Sequence, residues 1–569
     1  MITSLGEGVG HNMEMLLAGK TGVHMTDDSR VTDSSLMAGI IPEDIYGQLY
    51  GKYDAARTLT RTELLAVACM DRLVGERVLS GCGTALVIAS AKGNVACLEG
   101  QCGNGPAVPP DSSPVLMGNM ARRIGSRFGF SMDDTFIVSN ACISGVSALV
   151  MARRLILLGR YPQVIVVGVD TQNRFITSGF ASFKSLSREL CRPYDESRCG
   201  LNLGEACGAV LLSGNPSGAS VSIDGGAATD DANHISGPSR TGDGLFYAIR
   251  RAMGECGLKA TDVDLLQMHG TATAYNDEME SKAAALAGLQ NVPLQSLKAY
   301  FGHTMGASGV IETIIAAEEI RTGIMAGTLG FSRIGVPAEV NVLSETRKMR
   351  IRHCVKTASG FGGTNAALVL SQVNAYVPSP CAVRVPEMRP ERRVEIAGGQ
   401  VNVDGNVVFE CPGADFPSFI REAYRSRGDS GMKFYKMDDV CKLGYMAAEW
   451  LLDGVVYGEE ECGIVLSGKY GCLDTDMKHQ NLIDAGGDSA ASPAVFVYTL
   501  PNVAAGEISI RHHIKGENTW LWSDDKAMCS IRSYACLAAA ASGMKYCVIG
   551  WLDCMAGSCR ASFELLARD

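Results

Sequence analysis

Cys142 stands at a corner of the chain where its thiol could act as a nucleophile. Residues 136–160 read FIVSNACISGVSALVMARRLILLGR, in which a strand-like run ends at Asn140 and an almost wholly apolar helix follows. The first turn of a helix carries unpaired N–H groups and a positive dipole end, which favour a thiolate and can hold a developing oxyanion. The pattern predicts a cysteine nucleophile here, although most buried cysteines only fill a core.

Two histidines in turns of small residues could supply the polar groups that such a nucleophile needs. His269 follows an apolar strand in LLQMHGTATAYNDEMES (265–281), and His303 lies in a glycine-rich turn of SLKAYFGHTMGASGVIETIIAAEEI (296–320), which also carries Lys298 and Glu312. A lone histidine is more often structural. With only nine histidines in the chain, this pair and the glycine-dense turn ASGFGGTNAALVL (358–370) indicate a catalytic site.

The elements that must position these residues alternate along residues 1–375. Val/Ile-rich runs at 85–90, 164–170, 208–213 and 366–371 are typical of buried strands, and 144–158 and 309–322 of helices. Such alternation predicts an α/β fold with layered sheets.

Composition limits the class of protein. The 569 residues are 46% hydrophobic and 20% charged, enough for a sizeable core, and the net charge of −10 argues against a chain-wide role in binding polyanions. The 20 cysteines include no CxxC spacing, which excludes paired zinc-ribbon or thioredoxin motifs. Neither a signal peptide nor a membrane span of about 20 apolar residues is evident. We therefore expect a cytoplasmic protein without nucleic-acid or membrane partners.

Beyond residue 375 the chain changes character. Residues 376–394 are rich in proline and arginine and are predicted to be an extended linker, and 395–569 form a second α/β segment. Residues 491–530 resemble 112–145: aligning Thr135 with Thr519 places Cys142 on Lys526, and 164–170 falls on 547–553 with one gap. We predict a diverged duplicate of the first half; the alternative is the chance similarity of any two strand–helix–strand segments.

Taken together, these motifs resemble the β-ketoacyl-acyl carrier protein synthase family. The shared motifs stand in the family's order over about residues 2–372: Cys142 in NACISG, CRPYDESRCGLNLGEACGAVLL (191–212), DANHISGP (231–238), His269 in HGTATAYND, Lys298 and His303 in KAYFGH, and GFGGTN (360–365). The resemblance implies a thiolase-like αβαβα sandwich of two βαβαβ-type halves.

The resemblance also implies a reaction. Cys142 would take an acyl group from the phosphopantetheine arm of an acyl carrier protein, and the carbanion from decarboxylated malonyl-carrier protein would attack the thioester. His269 and His303 would be neutral N–H donors to the enolate oxygen, oriented by Lys298 and Glu312. The N–H groups of Cys142 and Phe361 would form the oxyanion hole. The implied substrate-binding residues are Phe361 (as a gate), Gly362, Thr271, Thr273 and Ile143, with no metal and no bound cofactor.

Two positions bear on subclass. Initiating synthases typically carry asparagine, and thiolases cysteine, where this chain has His303, which implies an elongating synthase. Ile143 follows Cys142 at a position where a small polar residue is more usual in the family, which leaves the preferred acyl chain open. The choice between fatty-acid and polyketide (including polyene) pathways is open as well. The alternatives are a non-condensing, chain-length-factor-like scaffold, which the intact Cys142, His269 and His303 argue against, and a malonyl decarboxylase.

The tail resembles only the family's N-terminal half. In the alignment above, Asp525 and Lys526 stand where a nucleophile should be, and no later histidine motif follows, so the tail is predicted to be non-catalytic. Family members dimerise through their N-terminal halves, which leaves two arrangements: a homodimer, or a pseudo-heterodimer in which the tail docks on residues 1–170. Candidate landing residues for the acidic carrier protein are Arg122, Arg123, Arg127, Arg153 and Arg154.

Overall fold

The first 375 residues fold into alternating strands and helices. A computed structural model describes residues 1–75, 83–100, 112–375, 385–428, 430–524 and 528–568. The strands of this part are β1 (Ile2–Thr3), β2 (Gly6–Glu7), β3 (His24–Thr26), β4 (Leu36–Gly39), β5 (Thr84–Ala89), β6 (Thr135–Val138), β7 (Gln163–Asp170), β8 (Leu203–Gly204), β9 (Ala206–Ser213), β10 (Val221–Asp230), β11 (Leu265–Gln267), β12 (Leu294–Gln295), β13 (Ile324–Met325), β14 (Arg347–Lys348), β15 (His353–Gly360) and β16 (Thr364–Gln372). The helices are α1 (Val9–Leu17), α2 (Glu43–Tyr53), α3 (Arg61–Val74), α4 (Met117–Ser126), α5 (Ser144–Leu157), α6 (Arg174–Ser182), α7 (Asp243–Cys256), α8 (Ala274–Leu286), α9 (Lys298–Phe301) and α10 (Ser308–Thr322).

The C-terminal segment continues the same alternation. Its elements are β17 (Met388–Ala397), β18 (Gln400–Val403), β19 (Asn406–Glu410), α11 (Phe416–Ser426), α12 (Asp439–Leu451), β20 (Cys462–Gly468), α13 (Leu473–Gly486), α14 (Pro493–Phe496), α15 (Val503–His512), β21 (Asn518–Trp522), α16 (Cys529–Ser542), β22 (Tyr546–Met555) and β23 (Ser558–Arg568). Short 3₁₀ turns connect several of them, including Ala141–Ile143 and Met305–Ala307, which precede α5 and α10.

Five layers build residues 1–375. Helices α5 and α10 lie in the middle, between the sheet that contains β5, β6, β7 and β9 and a second sheet of order β10-β16-β15-β11-β12. Helix α3 covers the outer face of the first sheet, and α7 covers that of the second. The predicted αβαβα sandwich is confirmed, and the predicted strands and both predicted helices form within a residue or two of their expected bounds.

The two middle helices begin in the same way. Ala141 and Met305, each in the turn before its helix, have positive φ angles of 47° and 51°. Ser144 Oγ accepts a hydrogen bond from the N–H of Asn140 at 2.8 Å, and Ser308 Oγ accepts one from the N–H of Thr304 at 3.1 Å. The same local geometry in both halves accords with two similar βαβαβ units facing each other.

Glycines let α5 and α10 cross in backbone contact. A Cβ atom on Gly309 would lie 2.4 Å from the nitrogen of Val146, and one on Gly145 would lie 2.8 Å from the oxygen of Gly306. No side chain larger than a hydrogen fits at either position. This contact places the first turns of the two helices side by side.

The C-terminal segment extends the first sheet of the N-terminal part. Strand β21 pairs antiparallel with β6, with Leu521 opposite Val138, and the combined sheet over the described residues has the order β19-β18-β17-β23-β22-β20-β21-β6-β5-β7-β9-β1-β2. Beside this junction Arg154 forms a buried bidentate ion pair with Glu517, at 3.1 and 3.2 Å. The segment therefore docks on the N-terminal half within one chain.

Strand order and register relate the tail to the first half. The order β21-β20-β22-β23 repeats β6-β5-β7-β9, with parallel and antiparallel pairs in the same places. Asp170 accepts the N–H groups that follow β5, and Asp553 accepts those of Lys469 and Tyr470, which follow β20. These pairings place Leu521 in the position of Val138, so the predicted alignment of Thr135 with Thr519 was wrong by one residue. The predicted match of 164–170 with 547–553 agrees with the register.

The structure also shows where the predicted linker ends and that two of the cysteines pair. The predicted linker is shorter than expected, because β17 begins at Met388 and pairs with β23; residues 376–384 lie outside the described part, as do Asp525 and Lys526. Cys554 and Cys559 form a disulfide across the β22–β23 hairpin, which the cysteine spacing did not predict. No helix within the described residues has the length and apolar character that crossing a membrane requires.

The glycine crossing makes a prediction about stability. Replacing Gly309 with alanine forces its methyl group against backbone atoms that cannot rotate away, so we expect the free energy of unfolding to fall by about 1–3 kcal/mol. Gly254 is the matched control, because a Cβ atom added there, inside helix α7, would have nothing within 4 Å, and alanine should be neutral or stabilising. Urea unfolding midpoints measure both; equal behaviour of the two variants would contradict the assigned contact.

Candidate active site

Cys142 lies at the junction of β6 and α5, as the sequence predicts. Its side chain is buried, in the 3₁₀ turn that precedes the helix, and the end of β15 lies against it: a Cβ on Gly360 would be 3.2 Å from the nitrogen of Cys142. The backbone N–H groups of Cys142 and of Phe361 both face the thiol. Two N–H donors converging beside a nucleophile are what an oxyanion hole requires.

The thiol is not poised as a thiolate, contrary to the expectation from its helix. Burial raises the pKa of Cys142 to about 12, against the opposing effects of the Lys298 ammonium and the nearby backbone N–H groups, while the Asp170 carboxylate raises it further. The desolvation of a fully buried sulfur outweighs the helix terminus. The Cys142 thiol is therefore neutral, and it would have to lose its proton to act as a nucleophile.

His269 is fixed through its backbone. Glu280 on α8 accepts the N–H groups of His269 and Gly270 at 2.8 and 2.7 Å, so one buried carboxylate holds the turn that follows β11. The Nδ1 atom of His269 is buried and has no hydrogen-bond partner among the described residues. Glu280 was not identified from the sequence; its position in HGTATAYNDEMES, eleven residues after the histidine, was the available signal.

His303 is fixed through both its backbone and its ring. Its N–H donates to Asn202 O at 2.6 Å, its carbonyl accepts the N–H of Gly204 at 3.0 Å, and its Nδ1 accepts the N–H of Met305 at 3.3 Å. Because Nδ1 is an acceptor, the ring hydrogen of the neutral histidine is on Nε2. The sulfur of Cys142 and ring nitrogens of both histidines lie within 4.8 Å of one another, so the structure brings together the three predicted catalytic side chains.

A buried carboxylate between two lysines lies behind the histidines. Lys298 Nζ contacts Glu312 Oε1, and Lys356 Nζ is 2.6 Å from Glu312 Oε2. The predicted Lys298–Glu312 pair is therefore present, but Lys356 was not identified from the sequence. Burial, together with the positive charges of Lys298 and then Lys356, holds the pKa values of His269 and His303 well below 6.5. Both rings are therefore uncharged, and each keeps one N–H group that can donate.

Phe361 connects the site to the C-terminal segment. The centroid of its ring lies 5.8 Å from that of Phe180, on which it stacks, and 5.4 Å from that of Phe183. The rings of Phe180 and Phe183 both contact Phe496 of the tail. Asn502, also of the tail, donates from Nδ2 to Phe361 O at 2.7 Å. The tail thus supports the turn that carries Phe361, whose N–H group faces the Cys142 thiol.

Of the other residues predicted to bind substrate, three lie on the turns that carry His269 and Phe361, and one lies in a hydrophobic cluster. Thr271 and Thr273, whose hydroxyls are 2.9 Å apart, lie on the turn after His269, and Gly362, with φ +90°, follows Phe361. Ile143 is fully buried in the hydrophobic cluster that packs α5 against α16, a different cluster from the one that contains Phe361.

The candidate landing site for a carrier protein is smaller than expected. Arg153 and Arg154 are buried and paired with Glu255 and Glu517, so they cannot meet a partner, and that part of the prediction was wrong. Of the others, Arg122 and Arg127 are exposed, and Arg123 is partly exposed and paired with Glu63. All three lie at helix α4 or directly after it.

Comparison with known families agrees with this geometry. The β-ketoacyl synthase N-terminal domain matches residues 1–216, and the β-ketoacyl synthase C-terminal domain matches residues 220–332. Together they match more than half of the chain. The chain belongs to the β-ketoacyl synthase family. Synthases of this family are acyltransferases, which confirms the predicted class of enzyme.

Curated relatives carry a common name. The 3-oxoacyl-[acyl-carrier-protein] synthase 2 of Rhizobium meliloti is 31% identical over 256 residues, which are 42% of this chain and 61% of the relative. The putative mitochondrial 3-oxoacyl-[acyl-carrier-protein] synthase of Schizosaccharomyces pombe is 27% identical over 412 residues, 64% of this chain and 96% of the relative. These relatives match less than two thirds of this synthase, so they leave a large part of it without a counterpart.

Solved structures show the same fold. The PfaC keto synthase–chain length factor superposes with a TM-score of 0.74 at 14% identity, covering 100% of this synthase and 77% of that chain. The ketosynthase ApeO of Xenorhabdus doucetiae, solved in complex with its chain length factor ApeC, has a TM-score of 0.54 at 23% identity over 65% of this synthase and 95% of that chain. At these identities the likeness is one of fold.

The uncharged histidines predict how stability depends on pH. The native His303 ring stays neutral, whereas an unfolded one takes up a proton below about pH 6.5, so each unit of pH below that value should remove about 1.4 kcal/mol until the native pKa is reached. The His303→Asn variant has no imidazole at this position, so it should not lose this part of its stability as the pH falls. We therefore expect the urea midpoint of the wild type to fall more steeply than that of the variant between pH 7 and pH 5. His24→Asn, at an exposed position, is the control and should follow the wild type.

Proposed function

We propose that this synthase catalyses the decarboxylative Claisen condensation of malonyl-acyl carrier protein with an acyl chain carried on Cys142, in a fatty-acid or polyketide pathway with separate carrier proteins. The convergence of Cys142, His269 and His303 within 4.8 Å carries the proposal. The phosphopantetheine arm of the carrier protein would deliver both substrates as thioesters.

The geometry suits each half-reaction. In the first, Cys142 attacks the incoming thioester while the N–H groups of Cys142 and Phe361 stabilise the tetrahedral oxyanion. The proton of the Cys142 thiol ends on the released phosphopantetheine thiol. No separate base is therefore needed to deprotonate Cys142 before the substrate binds. In the second, malonyl thioester loses carbon dioxide, and the ring N–H groups of His269 and His303 would hold the enolate oxygen. The enolate carbon then attacks the acyl-Cys142 carbonyl and expels the thiolate.

The tail has a structural role in this proposal. Residues 1–375 are the ketosynthase domain, and residues from about 388 are a degenerate half-domain that takes the place of a partner subunit, giving a pseudo-heterodimer in one chain. The β6–β21 pairing, the buried Arg154–Glu517 pair and the Asn502–Phe361 hydrogen bond support it. The alternative for the whole protein is a non-condensing scaffold like a chain length factor.

Intact-mass spectrometry tests the nucleophile. After incubation with acyl-carrier protein, the wild type should gain one acyl group, and Cys142→Ala should gain none. Cys529→Ala removes an exposed cysteine of the tail and should acylate like the wild type. The absence of an adduct on the wild type with every donor tried would favour the scaffold, and an adduct on Cys142→Ala would place the nucleophile elsewhere.

Light scattering and one interface variant test the role of the tail. A pseudo-heterodimer in one chain should behave as a particle of about 60 kDa, whereas twice that mass would show that a second subunit is still recruited. Asn502→Ala removes the hydrogen bond to Phe361 O, so we expect the rate of acylation of Cys142 to fall about tenfold or more because the oxyanion-hole turn loses its position. Asn406→Ala, in an exposed hairpin, is the control. Equal rates of Cys142 acylation in Asn502→Ala and the wild type would show that the tail does not support the active-site turn through this hydrogen bond.

A further inference from the structure

Lys356 is a second buried lysine behind the active site, and the reaction as described above gives it no part. It lies in the middle of β15 with no exposed surface, paired with Gln267, which ends β11 two residues before His269. Its Nζ is 2.6 Å from Glu312 Oε2 and donates to Thr357 O at 2.6 Å. The other Glu312 oxygen is taken by Lys298, so one carboxylate lies between two ammonium groups.

The groups in direct contact here are two ammonium groups, of Lys298 and Lys356, and one carboxylate, of Glu312. The titratable groups that interact with Lys356 are Glu312, Lys298, Glu280, His269, His303 and Cys354. Glu280 already accepts the N–H groups of His269 and Gly270, the hydroxyl of Tyr194 and the side-chain amide of Asn276. Glu312 is thus the one carboxylate in direct contact with the two lysines within the described residues. Burial lowers the pKa of Lys356, and the Glu312 carboxylate opposes that effect. With Lys356 protonated, the three groups in contact carry a net charge of +1, and the Glu280 carboxylate lies outside this contact.

We propose that Lys356 is a positioning residue of this synthase, which keeps an extra positive charge beside His269 and His303 and thereby holds both rings as uncharged N–H donors. A buried cation close to an imidazole opposes its protonation. The same charge would attract the malonyl carboxylate and then the enolate oxygen, whose negative charge the site must hold once carbon dioxide has left. A single Lys–Glu pair would give no such excess.

The slower decarboxylation that we expect without Lys356 rests on the proposed condensation. The effect of Lys356 on the histidine rings does not rest on it. The effect on the histidines can be measured without substrate, by nuclear magnetic resonance of protein labelled at the histidine rings, with assignments from His269→Asn and His303→Asn. In Lys356→Met, we expect the protonation midpoint of at least one of these rings to rise by about one pH unit, a tenfold change in its proton affinity. Lys356→Arg keeps the charge and should resemble the wild type.

Two further variants separate charge from folding. Lys356→Met combined with Glu312→Gln restores the net charge of +1 through Lys298, so the ring midpoints should return toward wild-type values even if the fold is less stable. Lys92→Met is the matched control, because Lys92 is also buried and paired with a carboxylate, Asp476 at 2.6 Å, outside this cluster. It should leave the midpoints of both rings unchanged.

Activity gives the second readout. With malonyl-carrier protein, Lys356→Met should decarboxylate about tenfold more slowly, while the acylation of Cys142 stays within about threefold of the wild type. Unmoved ring midpoints in Lys356→Met, or equal slowing of both half-reactions, would overturn the proposal and leave Lys356 a structural counter-ion. Failure of the wild type to acylate would instead refute the proposed function, and the substrate-free titration would still decide the role of Lys356.

Discussion

The backbone contact between α5 and α10 is the constraint on which the active site depends. Cys142 precedes α5 by two residues, and His303 precedes α10 by five, so these two side chains are brought together only because the first turns of the helices touch. Gly145 and Gly309 permit that contact, since a methyl group at either position would overlap backbone atoms. Asp170 strengthens the same junction by accepting the N–H groups of Ala91 and Gly306.

The junction is also where the tail meets the catalytic half. Asn140, two residues before the nucleophile, donates to Asn518 O at 3.0 Å and accepts the N–H of Trp520 at 2.6 Å. Strand β6 would otherwise be the edge of its sheet, with unpaired backbone groups directly before the active-site turn. The tail covers that edge and supports Phe361 through Asn502. A segment without the catalytic residues therefore contributes to the geometry of the site.

Burial determines the chemistry of the groups once they have been brought together. It raises the pKa of the Cys142 thiol to about 12 and, with the two lysines, holds the pKa of each histidine well below its usual value. Cys142, His269 and His303 are therefore all uncharged, while charged groups lie behind them on Lys298, Glu312 and Lys356. Such a site keeps its full charge stabilisation for the anions that form during reaction.

The sequence by itself determined the fold class, the strands and helices that matter, and three side chains that the fold brings together. It could do so because a strand–turn–helix pattern with Cys142 at the turn, and the histidine turns at His269 and His303, are local signals. Only the tertiary structure decided the rest. Arg153 and Arg154 read as surface charge but are buried, because their partners Glu255 and Glu517 are distant in sequence.

Desolvation reversed the expected thiolate at Cys142, since burial depends on every element packed around the sulfur. Lys356 was invisible in the sequence for the same reason. A lysine in a strand is ordinarily solvated, and its role arises from a carboxylate forty-four residues away that Lys298 already shares.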